Sequence, residues 1–99
     1  MRVISVKRLK DFWENKNYAD SEQPLRAWYA EAKAADWKTP NEIKAKYHTA
    51  SFVGNHRVVF NIKGNNYRLI AAIRYDFRIV YIRFIGTHEQ YDKIDAGSI

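Results

Sequence analysis

The chain has 99 residues, 46% hydrophobic and 15% aromatic, which is enough for one small core and too little for two, so one domain over residues 1–99 is expected. No cysteine is present, which excludes disulfide staples, cysteine-ligated zinc and thiol catalysis. The formal net charge is +6, and charge returns within a few residues of the N-terminal Met1-Arg2-Val3-Ile4. Neither a signal peptide nor a membrane span fits, and a cytoplasmic protein is expected.

In chain order, Arg2 to Val6 reads as a short β-branched strand. Val6, Leu9, Phe12 and Trp13 recur at helical spacing and predict an amphipathic helix from about Lys7 to Lys16. A second helix starts at Asp20 or Ser21, ahead of Glu22 to Pro24, because proline is tolerated in a first turn. Leu25, Trp28, Tyr29 and Ala32 form its apolar stripe. Thr39-Pro40-Asn41-Glu42 is a capping box that predicts a short third helix carrying Ile43 and Tyr47 inward. The three tryptophans lie in or beside these helices, where core packing is the expected role.

From His56 the apolar period changes to two. His56 to Ile62 and Tyr67 to Tyr75 read as a hairpin, with Gly64-Asn65-Asn66 supplying the residues that tolerate positive φ. Asp76-Phe77 makes a tight turn into a third strand, Arg78 to Ile85, which Gly86 ends. Thr87-His88-Glu89-Gln90 is a second capping box and opens a short helix holding Tyr91 and Ile94. The class is α+β: N-terminal helices on one face of a small, mostly antiparallel sheet, with a short C-terminal helix.

Strand alternation sorts the sheet into two faces. Val58, Phe60, Ile62, Leu69, Ala71, Ile73, Val80, Ile82 and Phe84 share the uncharged face that the helices should cover. The other face collects Arg57, Asn61, Lys63, Arg68, Arg74, Tyr81 and Arg83 among Val59, Ile70, Ala72, Ile79 and Ile85. From Arg57 to Arg83 there are six bases against one acid, a net +5 in 27 residues. Such a stretch points to nucleic acid first and an acidic membrane second. Guanidinium groups suit phosphates and flat rings suit bases. A sheet face salted for solubility is the plainer alternative.

RNA can be cut by its own 2′-hydroxyl once a base takes the hydroxyl proton and an acid protonates the departing 5′-oxygen, with fixed cations stabilising the phosphorane charge. His88 is the candidate for proton transfer, because imidazole is the side-chain type that changes charge near neutral pH, and it follows the strand that carries Arg83; Tyr91 lies one helical turn on. A capped helix start is the plainer reading of the same residues. His48, His56 and His88 lack metal-ligand spacing, although His88 and Asp92 stand four apart, and no cofactor is expected.

Two stretches, Phe60-Asn61-Ile62-Lys63-Gly64-Asn65-Asn66-Tyr67-Arg68-Leu69-Ile70 and Val80-Tyr81-Ile82-Arg83-Phe84-Ile85-Gly86-Thr87-His88-Glu89-Gln90-Tyr91-Asp92-Lys93-Ile94, resemble the signature of the HigB toxins, mRNA interferases of the RelE-like group. The opening strand, the Lys-rich first helix and Trp37-Lys38-Thr39-Pro40 are similar too, so the resemblance covers nearly the whole chain. Lys63 departs from it, standing where family members often have glycine.

The resemblance implies a RelE-like fold with one sheet face open to RNA, and cleavage of mRNA on the ribosome. It also implies neutralisation by a HigA-type helix-turn-helix antitoxin, with operator DNA reached only through that antitoxin. It assigns Arg68 and Arg83 to the scissile phosphate, His88 to proton transfer and Tyr91 to orientation or stacking. Arg57, Asn61, Lys63, Arg74 and Tyr81 are left as RNA-binding residues. A non-catalytic RNA-binding module and a regulatory subunit of a toxin-antitoxin complex are the alternative functions.

Overall fold

Period-two alternation can bury only one face of each strand, so the strands must share a sheet and the helices must cover its apolar side. The computed structural model describes residues 1–99 and has this form. The elements are β1 (Arg2–Ile4), α1 (Val6–Glu14), a 3-10 helix (Lys16–Ser21), α2 (Glu22–Ala34), α3 (Pro40–Lys46), β2 (Ser51–Val53), β3 (Arg57–Ile62), β4 (Tyr67–Arg74), β5 (Ile79–Thr87) and α4 (His88–Tyr91). The sheet order is β1-β5-β4-β3-β2, antiparallel throughout except for the parallel β1–β5 pair. No helix is long and apolar enough to cross a membrane.

The main core joins Leu9 of α1, Leu25, Trp28 and Ala32 of α2 and Ile43 of α3 to the sheet residues expected beneath them. Phe60, Leu69 and Ile82 are all buried, as the alternation requires. Phe60 is the hub: Trp28 meets it edge-on with ring centres 5.4 Å apart, and Tyr47 does so at 5.1 Å. Both capping boxes form, and the Glu42 carboxylate accepts from the Thr39 N–H at 3.0 Å.

Four expectations need correction. Ser51–Val53 is a strand before the hairpin, and the turn from it holds Asn55 and His56 at φ 61° each. In the next turn the left-handed residues are Lys63 (φ 53°) and Gly64 (φ 65°) rather than the two asparagines. Glycine is the residue that adopts this region without steric cost, so Lys63 is strained where it stands.

The third correction is a β-bulge. Ala71 pairs with Ile82 and Ile70 with Phe84, so Arg83 is one extra residue in β5. Beyond it the faces exchange. Phe84 leaves the main core for the opposite face, Ile85 packs against the main core, and β5 continues through Gly86 to Thr87.

Fourth, the second face is not open along its length. Ala96 packs on Val59 and Ile70 with help from Tyr91, Ile94 and Ile99, leaving Val59 and Ile70 buried. Ile94 does this from beyond α4, which is only four residues long.

Lys63 leaves that face as well. Its Nζ donates to Asp20 Oδ2 at 2.6 Å, and Tyr67 Oη donates to Oδ1 of the same carboxylate, tying the 3-10 helix to the β3–β4 turn. These hydrogen bonds, Lys63 first, hold the Asp20 carboxyl below its usual range. Burial first, then Asp20, pushes the Tyr67 hydroxyl up to about 12. A carboxylate with a lowered folded pKa contributes stability that is present above its unfolded value and fades as pH falls through the folded one. Asp20→Asn should therefore unfold at a lower temperature than wild type at neutral pH, and the gap should close below about pH 4. A gap that stays constant in thermal melts down to about pH 2 would mean that the carboxylate charge is not what holds the turn.

Candidate nucleic-acid interface

Arg68 stands on β4 with Asn61 on one side and Gly86 on the other. Its Nη1 donates to the Asn65 carbonyl at 3.1 Å, and its guanidinium lies 5.7 Å from the centre of the Tyr91 ring. No carboxylate pairs with it, so the rest of its N–H fork is free for an anion. Tyr91 is fixed from behind by the apolar cluster of Val59, Ile70 and Ala96.

α4 sets His88 at the same end of the sheet, against Asn66. Thr87 N–H donates to Gln90 Oε1 at 2.9 Å, Gln90 N–H donates to Thr87 Oγ1 at 3.1 Å, and His88 N–H donates to the Asn66 carbonyl at 3.2 Å. His88 Nδ1 sits 3.0 Å from Asp92 Oδ2, which leaves Nε2 as the ring atom able to exchange a proton with a ligand. The imidazole borders a cleft of about 520 Å³ shared with Tyr18, Asn65, Asn66 and Glu89.

Past the covered centre of the face lies a second concavity of about 340 Å³, lined by Asn55, His56, Arg57, Arg74, Tyr81 and Arg83. The Arg83 guanidinium is 5.9 Å from the Tyr81 ring centre, and its carbonyl accepts from Arg8 Nη1 at 3.2 Å. Arg74 Nη2 meets Asp76 Oδ2 at 3.3 Å. Arg57 is occupied: its Nε and Nη2 both donate to the Ile99 carbonyl, at 3.0 and 2.7 Å.

The structure thus sets Arg68 against Tyr91, with Asn61 beside Arg68, at one end of the sheet; His88 lies at that same end but borders a cleft that neither Arg68 nor Tyr91 lines, and Arg74, Tyr81 and Arg83 lie at the other end. Four residues separate Arg83 from His88, and the two border different concavities. Lys63 and Arg57 are turned to Asp20 and Ile99.

Sequence reasoning missed four contributors: His56, held in the β2–β3 turn; Phe84, turned over by the bulge; Gly86; and Asp92 as the partner of His88. The Gly54-Asn55 pair ahead of His56 was a readable turn signal, and the four-residue spacing of His88 and Asp92 a readable pairing.

Residues 21–94 match the family described as HigB toxin, the RelE-like toxic component of a toxin-antitoxin system. Along 97% of its length the sequence is 30% identical to the mRNA interferase toxin HigB of Escherichia coli strain K12, covering 92% of that relative. The same figures hold for the mRNA interferase HigB of Shigella flexneri. An mRNA interferase HigB of Escherichia coli O6:H1 is 27% identical, over 80% of this chain and 79% of its own length.

Gly86 offers a test of how the site is held. A Cβ there would lie 2.5 Å from Phe84 Cζ and 2.7 Å from Gln90 Oε1, the atom that caps Thr87. Gly86→Ala should displace the ring or break the cap, at a cost of about 1–3 kcal/mol in chemical denaturation, and shift the His88 ring resonances in NMR spectra. Unchanged stability with unchanged His88 resonances would show that α4 does not depend on this close approach.

Proposed function

Because the chain belongs to the HigB toxin family, the RelE-like toxic component of a toxin-antitoxin system, we propose that it is an mRNA endoribonuclease, acting on the ribosome without a metal ion. A HigA-type antitoxin neutralises it and supplies the only contact with operator DNA. The curated relatives carry the name mRNA interferase over nearly the whole length of this chain. The observation that carries the reading is a guanidinium with no acid partner, Arg68, braced on the Tyr91 ring at the same end of the sheet as an imidazole that Asp92 orients.

In this mechanism the RNA 2′-oxygen gives up its proton, attacks the adjacent phosphorus and forms a 2′,3′-cyclic phosphate. The bond to the 5′-oxygen breaks, and that oxygen takes a proton. His88 Nε2 is the group that moves a proton. Asp92 fixes the orientation of the ring through Nδ1, as a carboxylate does beside an imidazole base. Arg68 stabilises the charge that builds on the non-bridging oxygens, an interaction far stronger in a partly dry cleft than in water. Tyr91 keeps the Arg68 fork aimed without neutralising it and offers a face to the neighbouring base. Arg83, Arg74 and Tyr81 carry the flanking strand, and Asn61 lines its path beside Arg68.

Arg68→Ala should lower the single-turnover cleavage rate of translated mRNA by about two to three orders of magnitude, and lysine should rescue poorly because it lacks the planar fork. His88→Gln should cost about a hundredfold or more. Arg83→Ala should weaken binding more than it slows the bound-state rate. Wild-type rates from Arg68→Ala, or loss of activity to chelator with ribosomes intact, would refute the mechanism; an equal rate loss from Arg83→Ala would move that residue into the catalytic set. The antitoxin should associate more slowly as salt rises, because a net +5 stretch steers an opposite charge. A salt-independent on-rate in stopped flow would remove steering from the account.

A further inference from the structure

Phe77 is the most exposed large apolar side chain of the protein, 64% accessible, at the tip of the turn between β4 and β5. The turn does not need an aromatic residue. It is held by the Asp76 side chain, whose Oδ1 accepts from the Phe77 N–H at 3.1 Å, and by Arg78 taking the left-handed position at φ 57°. A small polar side chain would serve that backbone equally well and leave no apolar ring in water. The ring is also not left alone: the Arg74 guanidinium lies 5.0 Å from its centre.

Arg74 connects this tip to the proposed RNA track. It lines the concavity that holds Tyr81 and Arg83, and a neighbouring hollow of about 520 Å³ at the sheet end. His56 lines both hollows too, and its backbone is fixed by the bond from the Ile73 N–H at 3.0 Å. An exposed ring against a guanidinium that itself lines, with His56, Arg57 and Arg83, a groove rich in cations is an arrangement that binds unpaired nucleotides, stacking the base and holding the phosphate once Arg74 Nη2 gives up Asp76 Oδ2, 3.3 Å away.

We propose that Phe77, Arg74 and His56 form a stacking subsite for one unpaired RNA base at the outer end of the track. The inference rests on the RNA-cutting reading above and names a contact that reading does not include. The base could come from the substrate strand or from ribosomal RNA; the shared chemistry is an unpaired nucleotide, bound through its π-face and one phosphate.

The test is equilibrium binding of the full chain to two probes, a short single-stranded 2′-O-methyl RNA, which lacks the attacking hydroxyl, and purified ribosomes. Phe77→Ala should weaken binding by about five- to a hundredfold, the range expected for one lost base stack. Phe77→Trp should restore it, and Phe77→Leu, apolar but without a π-face, should not. The slope of log affinity against log salt should be unchanged in Phe77→Ala and shallower by about one in Arg74→Ala. Weakening on the free RNA places the base on the substrate strand; weakening confined to ribosomes places it in ribosomal RNA. Wild-type affinity of Phe77→Ala for both probes would overturn the proposal, as would full function of Phe77→Leu or a defect only in antitoxin binding. The underlying reading is judged separately by Arg83→Ala: if that variant also binds both probes normally, the RNA track itself is wrong.

Discussion

One extra residue in β5 arranges everything the site uses. Strand alternation admits no partial correction, so inserting Arg83 between the Ala71–Ile82 and Ile70–Phe84 pairs turns over all that follows in the strand. Continued without it, the ladder would set Ile85 opposite Arg68 and send Phe84 into the main core. With it, Ile85 joins the core, Phe84 closes the cluster on the opposite face, and glycine stands opposite Arg68. Thr87 then falls opposite Tyr67, at the sheet end, where its hydroxyl starts α4 and brings His88 to Asn66. The bulge also leaves the Arg83 and Tyr81 side chains on one face, where the guanidinium meets the ring.

A second constraint comes from the C-terminal residues. Ile70 and Val59 face away from the helices and would lie in water without a cover, and Ala96, Ile94 and Ile99 supply it. Asn55 Nδ2 donates to the Gly97 carbonyl at 2.6 Å and Arg57 grips the Ile99 carbonyl, so polar bonds hold the cover along one border. The result is a basic face divided by an apolar saddle. Arg68 with Tyr91 lies on one side and Arg83 with Arg74 on the other, which is why the basic residues are divided where alternation alone implies a continuous field.

What the sequence made legible was what local chemistry decides. Capping boxes at Thr39 and Thr87 involve residues three apart, and the core assignments of Phe60, Leu69 and Ile82 follow from period two; both hold. The bulge left no such trace, because Phe84 and Ile85 are both apolar and either can be buried. β2 has three residues, too few for a period to show. The positive φ at Lys63 runs against residue preference and is held by Asp20, 43 positions earlier; Arg57 finds Ile99, 42 positions later. Partners at that separation are set by topology, which charge counting does not see.

That last point changes what the net charge means. Of the six bases between Arg57 and Arg83, Lys63, Arg74 and Arg78 each lie against a carboxylate, and Arg57 is bound to a carbonyl. Only Arg68 and Arg83 are braced mainly by rings, Tyr91 and Tyr81. A carboxylate partner cancels the charge a phosphate would feel and must be displaced before the fork can be reused. An aromatic face holds the same side chain in place while leaving its charge intact and most of its N–H groups unfilled. The +5 stretch therefore overstates the freely available charge: the cations left with no carboxylate beside them and most of their N–H groups unfilled are the two whose neighbours are tyrosines, Arg83 as the bulged residue itself and Arg68 opposite Gly86 just beyond it, while Arg74 must give up Asp76 before it takes a phosphate.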